Sequence, residues 1–318
     1  ADLGKTRVVS KVSKVSECHA TLLTPRHIDT LLTDTFFGEP MSNTKIALPT
    51  EHCETCPAFT HLEQMGIKVG DFDHVIALAG NPNTGKSTLF NALTGLKQHT
   101  GNWPGRTVTR AEGGFEFNKI RYKLVDLPGT YSLLSASQDE EVARDFILFG
   151  QPSCTIVVTD ATALERNLNL VMQVMEITEH VVVAINLMDE AKRKGIKVDA
   201  RSLSRDLGIP AIAITARSGD GIHTLLGAVA DVIEGKIETK PLRVSGTPEF
   251  QKAVSELVPM IEQMAPGIPN ARWLAIRLLD GDARVQKALS TGELADIVSR
   301  QQRADVQFSG KMSVEGRQ

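Results

Sequence analysis

The run Gly80-Asn81-Pro82-Asn83-Thr84-Gly85-Lys86-Ser87 holds two glycines in a short turn and closes on an amine and a hydroxyl. It directly follows the apolar stretch Val75 to Ala79 and precedes Thr88-Leu89-Phe90-Asn91-Ala92-Leu93, which has helical character. Strand, glycine loop and helix in that order suit the recognition of phosphate. The glycines let main-chain N–H groups wrap a β-phosphate, and the helix start adds its positive dipole. Lys86 reaches toward β- and γ-phosphates, and the Ser87 hydroxyl is an oxygen ligand for Mg²⁺. A glycine turn without a ligand is the bland alternative, and the flanking strand and helix weigh against it.

Three further strand ends carry matching chemistry. Asp126-Leu127-Pro128-Gly129 closes a second apolar run, where a carboxylate can hold Mg²⁺ through water and the Gly129 N–H can meet a γ-phosphate. Taken alone, this tetrapeptide is most often only a turn. Asn186-Leu187-Met188-Asp189 ends a third run. The Asp189 carboxylate can accept both the N1–H and the exocyclic amine of guanine, whereas adenine leaves it unpaired, a penalty of roughly 1–3 kcal/mol or more. Thr215-Ala216-Arg217 ends a fourth, with the Ala216 N–H placed for the guanine carbonyl oxygen. Together the four motifs predict a site for GTP or GDP with Mg²⁺.

The elements that must position these residues are legible as alternating strands and helices. Val75 to Ala79, Arg121 to Val125, Thr155 to Thr159, Val181 to Ile185 and Ala211 to Ile214 are short, apolar and rich in β-branched residues, as in a mostly parallel sheet covered on both faces. Gly113 to Phe117, turned at Asn118 and Lys119 into Ile120 to Val125, predicts a hairpin with one antiparallel edge strand. Leu164, Leu168, Val171 and Met175 predict a helix packed on the sheet. After Lys240 the pattern changes to amphipathic helices. Thr247 and Pro248 start one that carries Phe250, Val254, Leu257, Val258 and Ile261 and should kink at Pro259. Asn270 and Thr291 start others. The expected organisation is an irregular extension over 1–72, an α/β nucleotide domain over 73–238 with a six-stranded sheet, and a small all-α domain over 239–318.

Composition narrows the function. In 318 residues, 35 Lys and Arg against 38 Asp and Glu give a net charge of -3, so a nucleic-acid partner is not expected. Four cysteines do not make a stapled secreted fold. The basic, Ser-rich start lacks the apolar stretch of a secretory signal, and no window reaches the roughly 18 to 20 apolar residues that cross a bilayer. The chain is expected to be soluble as it stands, which also suits the cytosolic part of a longer membrane protein. Cys53 and Cys56, with His52, His61 and Cys18, offer ligands for Zn²⁺ or Fe²⁺, although free thiols in an irregular extension are the weightier reading.

Over about 165 residues the chain resembles the Ras-like P-loop GTPases. Gly80 to Ser87 taken with Gly101-Asn102-Trp103-Pro104-Gly105-Arg106-Thr107-Val108 and Asp126-Leu127-Pro128-Gly129-Thr130-Tyr131-Ser132-Leu133 is similar to the cytosolic part of the ferrous iron transport protein B (FeoB) family. The resemblance implies nucleotide contacts from Gly80, Asn81, Asn83, Thr84, Gly85, Lys86, Ser87 and Thr88. It places further contacts at Gly105, Arg106 and Thr107 of a first switch loop, then at Asp126 and Gly129. At the base it adds Asn186, Asp189, Thr215, Ala216 and Arg217. Ser87, Thr107 and Asp126 would hold Mg²⁺, with Thr109 the alternative to Thr107. Asn83 would hold an assisting K⁺, and Asn83, Lys86, Thr107 and Gly129 would act in hydrolysis. Thr130 stands where Ras-like enzymes carry the glutamine that orients water, so turnover should be slow. A Trp103-Pro-Gly loop can also simply cover a core. The family adds a membrane permease on the same polypeptide, at the cytoplasmic face of the bacterial inner membrane, and leaves a homo-oligomer open. A soluble GTPase of ribosome assembly or tRNA modification is the alternative.

Overall fold

The computed structural model describes residues 72–290 apart from 96–97, 135–136 and 244–245, together with Leu62, Met65 and Ile67. The described residues form two compact units that divide after Val244. The larger is built on a seven-stranded sheet. Its strands are β1 (His74–Gly80), β2 (Gln98–Asn102), β3 (Thr109–Phe117), β4 (Ile120–Asp126), β5 (Cys154–Asp160), β6 (Val181–Asn186) and β7 (Ala211–Ala213). The order is β2-β3-β4-β1-β5-β6-β7. Strands β4, β1, β5, β6 and β7 run parallel, and β2 and β3 run antiparallel at one edge.

The sheet thus has one strand more than the six expected. The additional strand, β2, reads Gln-His-Thr-Gly-Asn, without the apolar alternation that reveals a half-buried strand. It is recruited by main-chain pairing, Thr100 against Ala111 and Asn102 against Thr109. The expected hairpin is present between β3 and β4. Asn118 and Lys119 take φ of 52° and 66°, the left-handed pair that a two-residue turn matching the strand twist requires.

Six helices cover the sheet: α1 (Lys86–Thr94), α2 (Gln138–Gly150), α3 (Leu164–Ile177), α4 (Met188–Arg193), α5 (Ala200–Leu207) and α6 (Ile222–Ile233). Leu89 and Phe90 of α1 and Leu225 and Val229 of α6 share one buried cluster with Ile76, Leu78, Leu124, Ile156 and Val182. Each such side chain contributes about 1.5–3 kcal/mol on burial, which fixes α1 against the sheet and with it the loop at its start. Leu168, Val171, Val174 and Met175 bury the inner stripe of α3.

The smaller unit contains α7 (Pro248–Met264), α8 (Ala271–Leu279) and α9 (Ala283–Ser290). Thr247 caps α7 by accepting from the Phe250 N–H at 3.3 Å, and Asn270 caps α8 by accepting from the Trp273 N–H at 2.9 Å, as their sequences predict. Helix α7 continues through Pro259. The expected helix start at Thr291 lies outside the described residues. No helix among the described residues is long and apolar enough to cross a membrane.

At the foot of the sheet His74 stacks on Tyr122 at 5.7 Å, and Tyr122 stacks on Phe115 at 5.2 Å. Burial lowers the His74 imidazole below its ordinary 6.5, against the raising influence of Asp73 and Glu234. The unfolded chain takes this proton near 6.5 and the folded chain only at lower pH. Stability from this group is therefore full above 6.5 and is lost as pH falls through the folded value. Melting temperatures followed from about pH 7.5 to about pH 5 are expected to fall less steeply for His74→Phe than for the parent; equal slopes refute the assignment.

Candidate functional site

Strand β1 ends at Gly80 and α1 begins at Lys86, so the intervening loop lies at the carboxyl edge of the sheet. There the order reverses, with β4 on one side of β1 and β5 on the other, the position where open α/β sheets form a crevice. Asn83 and Gly85 both take left-handed backbone, φ 64° and 81°, which turns successive N–H groups inward. Helix α1 has no side-chain cap and no acid in its first turn. Its leading N–H groups are thus left for an anion. A Cβ built on Gly85 would collide with Asn186 Nδ2, so glycine is required there by space as well as by φ.

Asn186, buried at the end of β6, ties the loops together. Its Nδ2 donates to the Thr84 carbonyl at 2.9 Å, and its Oδ1 accepts from the Ala216 N–H at 2.9 Å. Thr84 is itself folded back, its Oγ1 donating to the Asn81 carbonyl at 2.9 Å. The 215–220 loop closes through the Thr215 N–H to Asp220 carbonyl bond at 2.9 Å and through Ser218 and Gly219 N–H groups donating to the Thr215 carbonyl. One carboxamide therefore sets the spacing between the 80–87 loop and the 215–220 loop. The sequence marks Asn186 as a contact without showing this pair of hydrogen bonds.

Lys86 Nζ is ion-paired with Asp126 Oδ1. Burial pushes the Asp126 carboxyl above its ordinary value, while the adjacent Lys86 charge and hydrogen bond pull it down. The Thr130 N–H donates to the Gly80 carbonyl at 3.3 Å, bringing the Asp126-to-Thr130 segment against the start of the phosphate loop. Thr130 is buried, and Gly129 is exposed beside Pro82. Farther along, the Gln173 Oε1 on α3 accepts from the Leu133 N–H at 2.6 Å, and Arg166 lies over the Tyr131 ring at 4.4 Å.

Several expected residues lie elsewhere or are engaged differently. Arg106 points to α2, pairing with Glu141 at 2.8 Å and Asp145 at 3.3 Å, because those two acids sit one helical turn apart on the facing surface. Thr107 Oγ1 lies 3.5 Å from Gln138 Oε1 of the same helix. Gln138, Glu141 and Asp145 were missed, although their spacing along one helix face was readable. The Ala216 N–H, assigned to a guanine carbonyl, is used by Asn186, so only a shared bond from it would reach a base. Trp103 is buried, 5.4 Å from the Phe146 ring in an edge-on contact, so the aromatic loop residue does cover a core. Asp189 stands half-exposed in α4 with Arg193 at 3.8 Å. Ser87, Thr88, Gly105 and Arg217 are exposed. Thr109, the alternative to Thr107, opens β3 opposite Asn102. Cys53 and Cys56 lie outside the described residues. Cys154 is buried in β5 with its thiol pushed up to about 12, which leaves it inert.

The parallel sheet, the uncapped helix behind Gly80 to Ser87 and the Asn186 bracket define a class: a Ras-like P-loop GTPase fold followed by a helical unit. Residues 74–229 match the family model of ferrous iron transport protein B, and residues 247–315 match that of the FeoB cytosolic helical domain. The chain belongs to the FeoB family. It is 39% identical over 213 residues to the Fe(2+) transporter FeoB of Escherichia coli K12, an overlap of 65% of this chain and 27% of that protein. The Fe(2+) transporter FeoB of Salmonella typhimurium is 39% identical over 218 residues with the same coverage. The solved cytosolic domain of L. pneumophila FeoB is similar at 36% identity and TM-score 0.63, covering 70% of this chain and 88% of that one. The cytosolic domain of the T. maritima FeoB iron transporter in a GDP form is similar at 31% identity and TM-score 0.62, covering 76% and 98%. The chain spans about a quarter of the length of the transporters it matches, 27% in each case.

Proposed function

We propose that this chain binds GTP and GDP with Mg²⁺, hydrolyses GTP slowly, and serves as the regulatory part of a ferrous iron transporter. The observation that carries this is the Asn186 carboxamide, which couples an anion-ready helix start to the 215–220 loop. The GDP form of the T. maritima relative supports the ligand, and the FeoB transporters of E. coli and Salmonella support the role.

The residues present fit a nucleotide with its metal. Lys86 and the α1 N–H groups face the phosphates, and Ser87 and Asp126 are the hard oxygen donors that suit Mg²⁺, which neutralises phosphate charge when bound. Lys86 must then release Asp126. Thr107 would join them once it leaves Gln138, and Gly129 would offer its N–H. Asp189 recognises the purine. Thr130, in place of a glutamine, leaves water to be oriented by other groups, which suits slow turnover. Asn83 is exposed at the loop and is proposed to hold K⁺. The nucleotide domain of this reading runs over 73–238 and the helical domain over 239–318, with a permease on the same polypeptide and a cytoplasmic location at the bacterial inner membrane. The helical-domain match favours this reading over a ribosome-assembly GTPase.

Calorimetry with Mg²⁺ tests the reading: uptake of GTP and GDP but not ATP is expected, and no uptake ends it. Asp189→Asn should weaken GTP by about tenfold or more while circular dichroism is unchanged. Retained preference for GTP over ATP would refute the role of Asp189. In the same preparations, phosphate release should be faster in K⁺ than in Na⁺ for the parent and not for Asn83→Ala.

A further inference from the structure

The turn ahead of the family core is tied to β3 just after the 103–109 loop. The family match begins at residue 74, yet Leu62 and Ile67 are fully buried and are closed into a turn by the Ile67 N–H donating to the Leu62 carbonyl at 2.8 Å. The turn sits on the end of α2. A Cβ placed on Gly150 would lie 3.3 Å from Leu62 Cδ2, Met65 Sδ and Phe146 Cδ2 alike.

From this turn a chain of contacts leads into the loop. Arg110 Nη1 donates to the Met65 carbonyl at 3.1 Å, while Arg110 Nε pairs with Glu112 at 2.7 Å. Glu112 is held from its other oxygen by Lys123 at 2.6 Å. The Arg110 guanidinium so fixed lies over the Trp103 ring at 5.5 Å, and Trp103 packs on Phe146. The Trp103 N–H donates to the Val108 carbonyl at 3.0 Å, closing the base of the loop that carries Thr107.

We propose that Arg110, anchored by the Met65 carbonyl of this preceding turn, is a positioning residue for the 103–109 loop. Both ends of the loop are fastened, at Trp103 and at Arg110, so only the short stretch between them, once freed from the Arg106 pairs with Glu141 and Asp145, has to re-order when Thr107 turns from Gln138 to the nucleotide. Loosening the anchor lengthens the stretch that must order, and the entropic cost of ordering grows with length. GDP makes no demand on that stretch, because its phosphates are met by the loop and helix after Gly80. The clamp therefore acts on GTP turnover and not on GDP affinity. This rests on the nucleotide reading above for what the loop does.

The test uses the full chain. Trp103 is one of two tryptophans, and Trp103→Phe identifies its share of the fluorescence. Acrylamide quenching of that share, without nucleotide, is compared in the parent, in Leu62→Ala/Ile67→Ala and in Arg110→Met, which keeps a stem over the ring but removes the donors. Both variants are expected to raise quenching and to lower kcat for GTP roughly threefold, the factor implied by doubling a free loop, with the Kd for GDP within about twofold. Unchanged quenching in both variants overturns the clamp. Parallel losses of turnover and GDP affinity overturn the positioning role and leave only scaffolding. If the double variant does not fold, Arg110→Met decides alone. If the parent binds no guanine nucleotide the site reading fails, and the quenching comparison still judges the contact.

Discussion

Lys86→Ala is expected to reduce affinity for GTP and GDP by about 100-fold or more, measured by calorimetry in the presence of Mg²⁺. On the proposed reading the ammonium donates charge-assisted hydrogen bonds to phosphate oxygens, each worth about 1.5–3 kcal/mol, and a factor of ten in affinity corresponds to about 1.4 kcal/mol. The structure adds a second consequence. In this arrangement the same ammonium pairs with Asp126, whose carboxyl burial already pushes upward. Alanine removes the influence that opposes burial, so the carboxyl moves further up and competes with Mg²⁺ through its proton. The loss should therefore be larger at acid pH than at neutral pH. A variant that keeps parental affinity sinks the assignment of the loop.

Asn186→Leu is expected to be the second most damaging change, and its damage should appear in stability as well as binding. Leucine keeps the volume but leaves the Thr84 carbonyl and the Ala216 N–H without their partner in a buried place. Each unsatisfied group costs about 1–3 kcal/mol, so a loss of roughly 2–6 kcal/mol in chemical denaturation is predicted. On the proposed reading, loss of guanine nucleotide should follow even where the protein remains folded, because the 80–87 and 215–220 loops are no longer held at one spacing. Denaturation midpoints equal to those of the parent would show that the two bonds carry nothing.

Much of this was legible in the sequence, for identifiable reasons. The parallel strands announced themselves because they are buried on both faces and so are written in Val, Ile and Ala, as in Val181 to Ile185. The helix starts at Thr247 and Asn270 were readable because capping uses a side chain of the residue itself. Strand β2 was not readable, since its residues pair only through the main chain and no side-chain pattern records that. Around the candidate site, the placement of Gly80, Gly85, Lys86 and Asp126 at strand ends and the helix start was legible from order and spacing. The direction taken by Arg106 and Thr107 was not. It depends on where α2 presents Glu141, Asp145 and Gln138, a tertiary fact that no local motif carries. Asn186 was found as a position while its bracing role was missed, because its two partners lie 102 and 30 residues away.

Strand β2 is held at the sheet margin by its main chain. His99, Thr100, Gly101 and Asn102 are all exposed, so peeling this strand from β3 moves no large apolar side chain among these four residues, and the amide pairs it breaks can be replaced by water. The margin of the sheet leading into Trp103 is thus the cheapest piece of the domain to unzip, and amide exchange should be fastest there among the seven strands.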